Sequence, residues 1–584
     1  MRRMRQLETA RKRRTTARWV GRLVFCLLVG LAVVPTPEAA AQVPGVVPGI
    51  RPGDIERDVV PEQTDVIQAE TPVSILPPLT SAAMGGVLDM TGRDRVFVKS
   101  IVLQGNTVLS DASLAPITGE FVNRNLGVVE ILELRDQLTK AYTEAGYATS
   151  GAILPEQAYG DDGTLTLEIV EGRLGAIEIK VDGRRKPAYF RKRIELATGE
   201  VLNVRRLELA LQNLKRDPQV ERLQSSLVPT ETRGVAALAV VVEERSFFGA
   251  NARFDNYRSP SIGSLGAGGT VELHDLVGHG DEYRFSYTGG EGLNQYEGAV
   301  GLPLTAWDTK FSARFQYTDA EIVDRDFNQL GITSEVKSIA FDLEQPLWRT
   351  HSLSVSGQLT GDWSDAESKS DVAAVTEPLT ISALRAGLST EMRWPGGALV
   401  WRSLGSFGIN ALDATRDTSQ ASDGRFFSWL NQLQSFVYVP RIGSILVLRA
   451  DAQWSPNHLP SLERFAIGGR YSVRGYRENS LVKDNGVSLS AELRVPVYRR
   501  SGGDFRVEVV PFVDWGRSWD NRRKGQTLRG TESIVGAGLG LRARLSKFAS
   551  GELMWARNFT SLQNTQEPSI QDDGVHFQLS LAWP

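Results

Sequence analysis

The 584-residue chain holds one cysteine. A single thiol forms no internal disulfide and supplies no cysteine metal cluster. No uncharged apolar run reaches the roughly 18 residues that a membrane-spanning helix needs, so a helical membrane protein is excluded. Enzyme signatures are missing too. The sequence has no Gly-x-Ser-x-Gly elbow, no Walker loop and no His-Glu-x-x-His pair. Charged residues make up 23% of the chain, which speaks against wholesale disorder. The formal net charge of −3 argues by itself neither for nor against nucleic acid.

That charge is unevenly placed. Residues 1–41 carry nine Lys/Arg and two Glu, a net of +7, which leaves −10 on residues 42–584. The basic end reads as a secretory signal peptide. Arg11-Lys12-Arg13-Arg14 to Arg22 precede an apolar run from Leu23 to Val34, and Ala39-Ala40-Ala41 offers a small-residue cleavage site. Cys26 lies inside this segment, so the mature chain is expected to contain no cysteine. Residues 42–91 are rich in proline and glycine and read as a linker.

From Val96 the texture changes. Val96–Leu103 reads as a strand. A helix is expected from about Val129, with Ile131, Leu134, Leu138, Ala141, Tyr142 and Ala145 on one face and Gly146 at its C-terminal cap. Strands at 148–154 and 164–171 follow. The order then repeats: a strand at 175–181, a helix capped by Asn203 with Leu207, Ala210, Leu211 and Leu214 in phase, and strands at 220–228 and 235–244. Thr118-Gly119-Glu120 recurs as Thr198-Gly199-Glu200. Residues 92–172 and 173–244 therefore look like two copies of one β-α-α-β-β module.

After Arg245 helix signals nearly vanish. Segments of about ten residues alternate between apolar and polar or small side chains, as an outer-membrane strand does. Tyr283, Phe285 and Tyr287 alternate with Arg284 and Ser286. Val575, Phe577, Leu579, Leu581 and Trp583 alternate with His576, Gln578, Ser580 and Ala582. About 16 such segments occur between 245 and 584, and the even number suits a closed antiparallel barrel. One of the longest connections, 456–484, contains Val473-Arg474-Gly475-Tyr476. Two strands later, Phe512, Asp514 and Gly516 share the lumen phase, while Val513 and Trp515 take the lipid phase. A carboxylate confined there needs a partner, and the planar fork of an arginine is well suited. If the connection folds back inside, Arg474 is within reach of Asp514. His274 and His279 flank a turn and are expected to be turn residues, not a metal site. Gly536-Ala537-Gly538-Leu539-Gly540 sits in a strand pattern, where small lumen-facing residues account for it.

These features resemble the BamA/TpsB superfamily of outer-membrane barrels. Val473-Arg474-Gly475-Tyr476 is similar to its VRGY/F loop motif, and Phe512-x-Asp514-x-Gly516 to its partner motif on a strand. The paired modules resemble polypeptide-transport-associated (POTRA) domains. Gly146-Tyr147 followed by Leu154-Pro155-x-Gln157 is similar to the first module of two-partner secretion transporters, the haemolysin and filamentous-haemagglutinin exporters. The resemblance covers about 96–584. It implies a mainly β protein, a 16-stranded antiparallel transmembrane β-barrel (245–584) preceded by two α+β POTRA domains. It also implies residence in the outer membrane of a Gram-negative cell, with the POTRA domains in the periplasm. The implied partners are a secreted exoprotein with an N-terminal secretion domain and outer-membrane lipid. The chain is expected to work as a monomer, without catalytic residues, metal, cofactor or nucleic acid. Pro584 departs from the family's usual aromatic terminus by following Trp583, and the linker shows no evident plug helix. A barrel-assembly insertase, a passive solute channel and a soluble β-rich adhesin remain as rivals. The first usually carries three or more modules, the second has no obvious use for modules or loop, and the third would partition away from membranes.

Overall fold

The computed structural model describes residues 95–155, 163–324, 330–370, 376–416, 423–500, 505–521, 530–562 and 568–583. The expected signal peptide, the linker and Gln157 lie outside these residues.

The first module runs β1 (Val96–Val98), β2 (Ser100–Gln104), α1 (Asp111–Thr118), β3 (Arg124–Leu126), α2 (Val128–Glu144), β4 (Gly151–Ile153) and β5 (Thr164–Val170). The second runs β6 (Arg173–Asp182), α3 (Pro187–Thr198), α4 (Val204–Lys215), β7 (Val220–Pro229) and β8 (Val235–Glu244). Both place the last strand centrally. β2 lies parallel to β5 and β4 antiparallel to it; β6 and β7 bear the same relations to β8. The single strand expected at Val96–Leu103 is instead two. The chain changes sheets at Lys99, so β1 pairs with β3 while β2 joins β5. Periodicity also failed to locate α1 and α3. The first is short and carries Pro116 within it; the second starts on Pro187, whose fixed φ suits a first helical turn.

Each core follows from helical spacing. Ile131, Leu134, Leu138 and Tyr142 of α2 are buried against Leu165, Leu167 and Ile169 of β5. Leu207, Leu211 and Leu214 of α4 are buried against Leu238, Val240 and Val242 of β8. The Asn203 side chain accepts hydrogen bonds from the Arg205 and Arg206 amides at 3.1 and 3.2 Å, giving α4 a capped start. The same cap joins the modules. The last carbonyls of α2 have no partner in their own helix. Asn203 Nδ2, the Val204 amide and Arg205 Nη2 donate to the carbonyls of Ala145, Gly146 and Glu144 at 3.3, 2.9 and 2.8 Å. Gly146 has φ +96°, and a Cβ there would press on the Asn203 side chain.

The barrel strands are β9 (Phe248–Asp255), β10 (Gly266–His274), β11 (Glu282–Gly290), β12 (Leu293–Pro303), β13 (Lys310–Glu321), β14 (Ile332–Arg349), β15 (Leu353–Ser370) and β16 (Thr376–Trp394). Then come β17 (Gly397–Ile409), β18 (Phe427–Val439) and β19 (Ser444–Trp454). Two short strands in a connection, β20 (Phe465–Ile467) and β21 (Leu481–Lys483), precede β22 (Asn485–Arg499), β23 (Phe505–Trp519), β24 (Glu532–Leu545), β25 (Ala549–Asn558) and β26 (Val575–Trp583). Omitting β20 and β21, the strands form one closed 16-stranded ring. All neighbours are antiparallel, and β26 closes on β9 from Gln578↔Asp255 to Trp583↔Ala250. The alternation predicted from sequence sorts as expected. Phe285, Leu539, Leu579 and Trp583 are exposed on the outer wall, while His576, Asp514 and Glu492 are buried within. β14, β15 and β16 are 18, 18 and 19 residues long. That exceeds the roughly 9–11 residues needed to cross hydrocarbon, and the exposed pairs Lys337–Glu335 and Lys369–Glu367 occupy the excess.

The second module is bolted to the barrel's short turns. Buried Arg185 donates to both carboxylate oxygens of Asp275, in the β10–β11 turn, at 2.9 Å each, and to Asp217 at 2.6 Å. Burial works against its charge, but the Asp275 and Asp217 carboxylates hold the guanidinium above the ordinary arginine range. Arg193 and Arg349 share Asp308 of the β12–β13 turn. Arg216 donates to the His351 carbonyl of the β14–β15 turn at 2.9 Å. His274 lies beside Glu272, whereas His279 contacts the Val277 carbonyl, so the two make separate turn contacts. Leu211→Ala removes fully buried carbons and is expected to cost about 2–5 kcal/mol. Hydrogen exchange on the full-length protein checks this: module-two amides exchange faster and barrel amides are unchanged.

Candidate functional site

The long connection between β19 and β22 does not stand away from the barrel; it folds into the lumen. Arg470, Arg474, Arg477, Lys483 and Asp484 are all buried, a burial that charged side chains reach only when paired.

Arg474 is the centre. It is 1% exposed, and Asp514 is equally enclosed. Arg474 Nε and Nη2 donate to Asp514 Oδ2 and Oδ1 at 2.7 and 2.8 Å. The Arg474 amide donates to the same carboxylate at 3.1 Å. Nη1 reaches Glu492 Oε2 at 2.9 Å and Nη2 reaches Ser490 Oγ at 3.2 Å. The guanidinium lies 3.5 Å from the centroid of the Phe512 ring. The strand period explains the convergence. Ser490 and Glu492 alternate on β22, Phe512 and Asp514 on β23, and registry sets Ser490 opposite Asp514 and Glu492 opposite Phe512. Four acceptors and one ring face therefore meet one planar cation, which a lysine's point charge cannot match.

The rest of both motifs builds the seat. Val473 is fully buried, and the missing Cβ of Gly516 leaves room for it and for Ile467. Gly475 has φ +93°, so the chain turns where a side chain would be strained, with Ala556 3.3 Å from a Cβ position. The Tyr476 hydroxyl sits 2.9 and 3.0 Å from the Val535 and Thr560 carbonyls, which share its one proton, and accepts from the Thr560 amide at 3.1 Å. Gly536 is a very close approach, because a Cβ there would run into the Arg474 carbonyl. Of the glycine run at 536–540, Gly536 makes room for the loop, whereas Cβ atoms at Gly538 and Gly540 would meet Trp555 and Met554 of the neighbouring strand β25. In the first module, Tyr147 packs beside Tyr142 and Leu154 joins the core; Gly146 forms the inter-module joint, and Pro155 follows β4. The POTRA residues and the loop motif form two separate groups.

Sequence reasoning missed several partners. Around Glu492 gather Arg474, Arg494, Arg449 and Arg542, at 2.9, 2.8, 3.6 and 3.9 Å. Arg542 also pairs with Glu552 at 2.8 Å, and Glu552 pairs with Arg470 of the loop. Arg477 clasps Asp572 with two bonds of 2.7 and 2.6 Å. Ionisable residues at lumen-phase positions of β19, β22, β24 and β25 were the available signal. His458, Asp484 and Asp520 bring ligand-type atoms within 4.8 Å of one another. The Lys483 ammonium is 3.2 Å from Asp520 and already supplies positive charge there. The arrangement grips a loop; it offers no nucleophile held by a base.

Comparison with known proteins gives the same architecture. Residues 234–543 match the family model described as haemolysin secretion/activation protein ShlB/FhaC/HecB, and residues 96–172 match the ShlB-type POTRA domain. The outer membrane transporter CdiB of Dickeya dadantii is 24% identical over 465 residues, 76% of this chain and 79% of the relative. The solved structure of CdiB from Escherichia coli shares the fold with a TM-score of 0.70 at 22% identity, covering 89% of this chain and 95% of that one. CdiB from Acinetobacter baumannii aligns with a TM-score of 0.60 at 18% identity, covering 84% and 90%.

Gly536→Val is expected to force the Arg474 backbone off its seat while the outer wall stays intact. Single-channel recording on the purified protein checks this, with larger or noisier conductance than the wild type at unchanged barrel content.

Proposed function

Because the chain belongs to the haemolysin secretion/activation family of outer-membrane transporters, we propose that it exports a large, unfolded exoprotein of the haemolysin, haemagglutinin or adhesin type by two-partner secretion. The observation that carries this reading is a family match over residues 234–543, most of the barrel, together with a lumen occupied by a loop clamped through Arg474. A passive solute channel has no evident use for such a clamp or for periplasmic modules.

The exoprotein reaches the periplasm unfolded and presents an N-terminal secretion domain to the modules. Their sheets end in β2 and β4, and in β6 and β7, where backbone groups lack a strand partner among the described residues. An extended cargo segment satisfies those groups by adding a strand. The second module is held over the β10–β11, β12–β13 and β14–β15 turns, so captured cargo is delivered beside the barrel mouth. The chain then threads a lumen lined by both arginine and carboxylate side chains, which keeps a mixed polypeptide from binding too tightly. The sequence has no nucleotide motif, and folding outside the cell supplies the bias. Outer-membrane lipid surrounds the apolar wall, and one chain suffices for a complete barrel.

Arg474→Ala tests the site. Barrel abundance in the outer membrane is expected to remain, and the amount of co-expressed exoprotein outside the cell is expected to fall. Undiminished secretion at equal barrel abundance contradicts the role given to the clamp, and secretion independent of this protein contradicts the export reading.

A further inference from the structure

The inserted connection is gripped twice, by different arcs of the wall. The Arg474 grip uses β22 and β23. The other lies at the start of the connection, on β15 and β16. There Glu463 is buried, and Arg385 of β16 donates to its Oε1 and Oε2 at 2.7 and 3.0 Å. Arg385 is itself held by Asp362 of β15, through bonds of 2.6 and 3.0 Å, and by Ser406 Oγ of β17 at 2.8 Å. Leu459 and Leu462, just ahead of this point in the chain, pack into an apolar cluster with Val336, Ala366, Ile381 and Ala383 on the same wall. In the ring, β16 and β22 are separated by β17, β18 and β19, so the connection bridges part of the lumen.

The two grips are unequal. At the tip, the loop places an arginine among two carboxylates, a hydroxyl and an aromatic face, seats Val473, and anchors the Tyr476 hydroxyl on two carbonyls. At the base, the loop contributes the Glu463 carboxylate, two leucines and two backbone bonds, the Glu463 carbonyl accepting from Gln453 Nε2 of β19 at 3.0 Å and the Leu459 amide donating to Asp484 at 2.9 Å. Arg385 keeps Asp362 when Glu463 leaves, so no guanidinium is stranded without a counter-charge. Departure of the tip strands Asp514. Opening at the base therefore breaks fewer contacts and leaves fewer unpaired charges.

We propose that the Arg385–Glu463 pair is a latch and the Arg474–Asp514 pair an anchor. The connection swings from the β15–β16 wall while its tip stays bound to β23, opening a path along that wall. Arg385 is a positioning residue that acts through Glu463. The purpose of this movement rests on the export reading above, but the movement itself needs no cargo to be observed.

Trypsin applied to the outer surface of intact cells reads the two grips separately. Arg464 adjoins the latch, and Arg470, Arg474 and Arg477 adjoin the anchor. Glu463→Gln keeps the side-chain shape and removes the charge. Cleavage after Arg464 is expected to rise about tenfold as local opening becomes easier, with the three anchor sites still protected. Resistance of the barrel to SDS before heating certifies folding. Unchanged cleavage at Arg464 in a folded barrel overturns the latch, and an equal rise after Arg474 overturns the division into latch and anchor. Should Glu463→Gln yield no folded barrel, Glu463→Asp, which draws the charge back by one methylene, is read in the same assay with the same outcomes. As a second arm, Arg385→Cys and Glu463→Cys are joined by a short bis-maleimide. Bridging is expected to abolish exoprotein release, and release that continues through a bridged barrel overturns the opening. A wild-type chain that exports nothing counts against the export reading alone, and the cleavage pattern still decides the latch.

Discussion

A sheet in hydrocarbon cannot have an edge. Every backbone amide and carbonyl on such an edge would lie unpaired where no water can reach it. The pairing of β26 with β9 removes the edge, and most of the remaining architecture depends on that closure. Closure divides each strand into an outer apolar set and an inner polar set. It also encloses a lumen that a 16-stranded ring leaves too wide for its own side chains to fill. The inward fold of the connection between β19 and β22 answers that width, and the buried charges of the connection answer the polarity of the wall.

The clamp is costly in its parts and stable only as a whole. Arg474, Asp514 and Glu492 are each almost wholly removed from solvent. Without Arg474, Asp514 would be an uncompensated charge in a confined space, whereas Glu492 would keep Arg494, Arg449 and Arg542. Together they exchange water for directed hydrogen bonds, with Phe512 below the guanidinium and Gly536 yielding space to the loop backbone. The modules obey the same rule. Arg185 is buried only because Asp275 and Asp217 meet it, and that junction couples a soluble module to a turn of the membrane barrel.

Much of this was legible in the residues. Strict alternation marks each wall strand, because a period of two places successive side chains on opposite faces. That reasoning located the sixteen strands and put Asp514 inside. Leucine spacing and the Asn203 cap located α4 and most of α2. Other features were not legible. The break at Lys99 depends on β3 and Gly163, which are distant in sequence and local in space. α1 carries an internal proline, so its composition argues against the helix that tertiary contacts enforce. The Arg385–Glu463 pair and the gathering of four arginines at Glu492 come from barrel register and loop path. A polar residue on the lumen phase announces only that it faces inward, not whom it meets.

Export through this barrel requires cargo to pass along the lumen, past the clamped connection, and not along the membrane-facing wall. The most direct measurement places a photo-cross-linking residue at Gln434, on the inner face of β18, and in a second protein at Leu539, on the outer face of β24, while an exoprotein with a tightly folded C-terminal fusion is stalled in transit. Passage through the lumen predicts cross-links to the stalled chain from Gln434 and none from Leu539. Cross-links from Leu539 with none from Gln434 would contradict it.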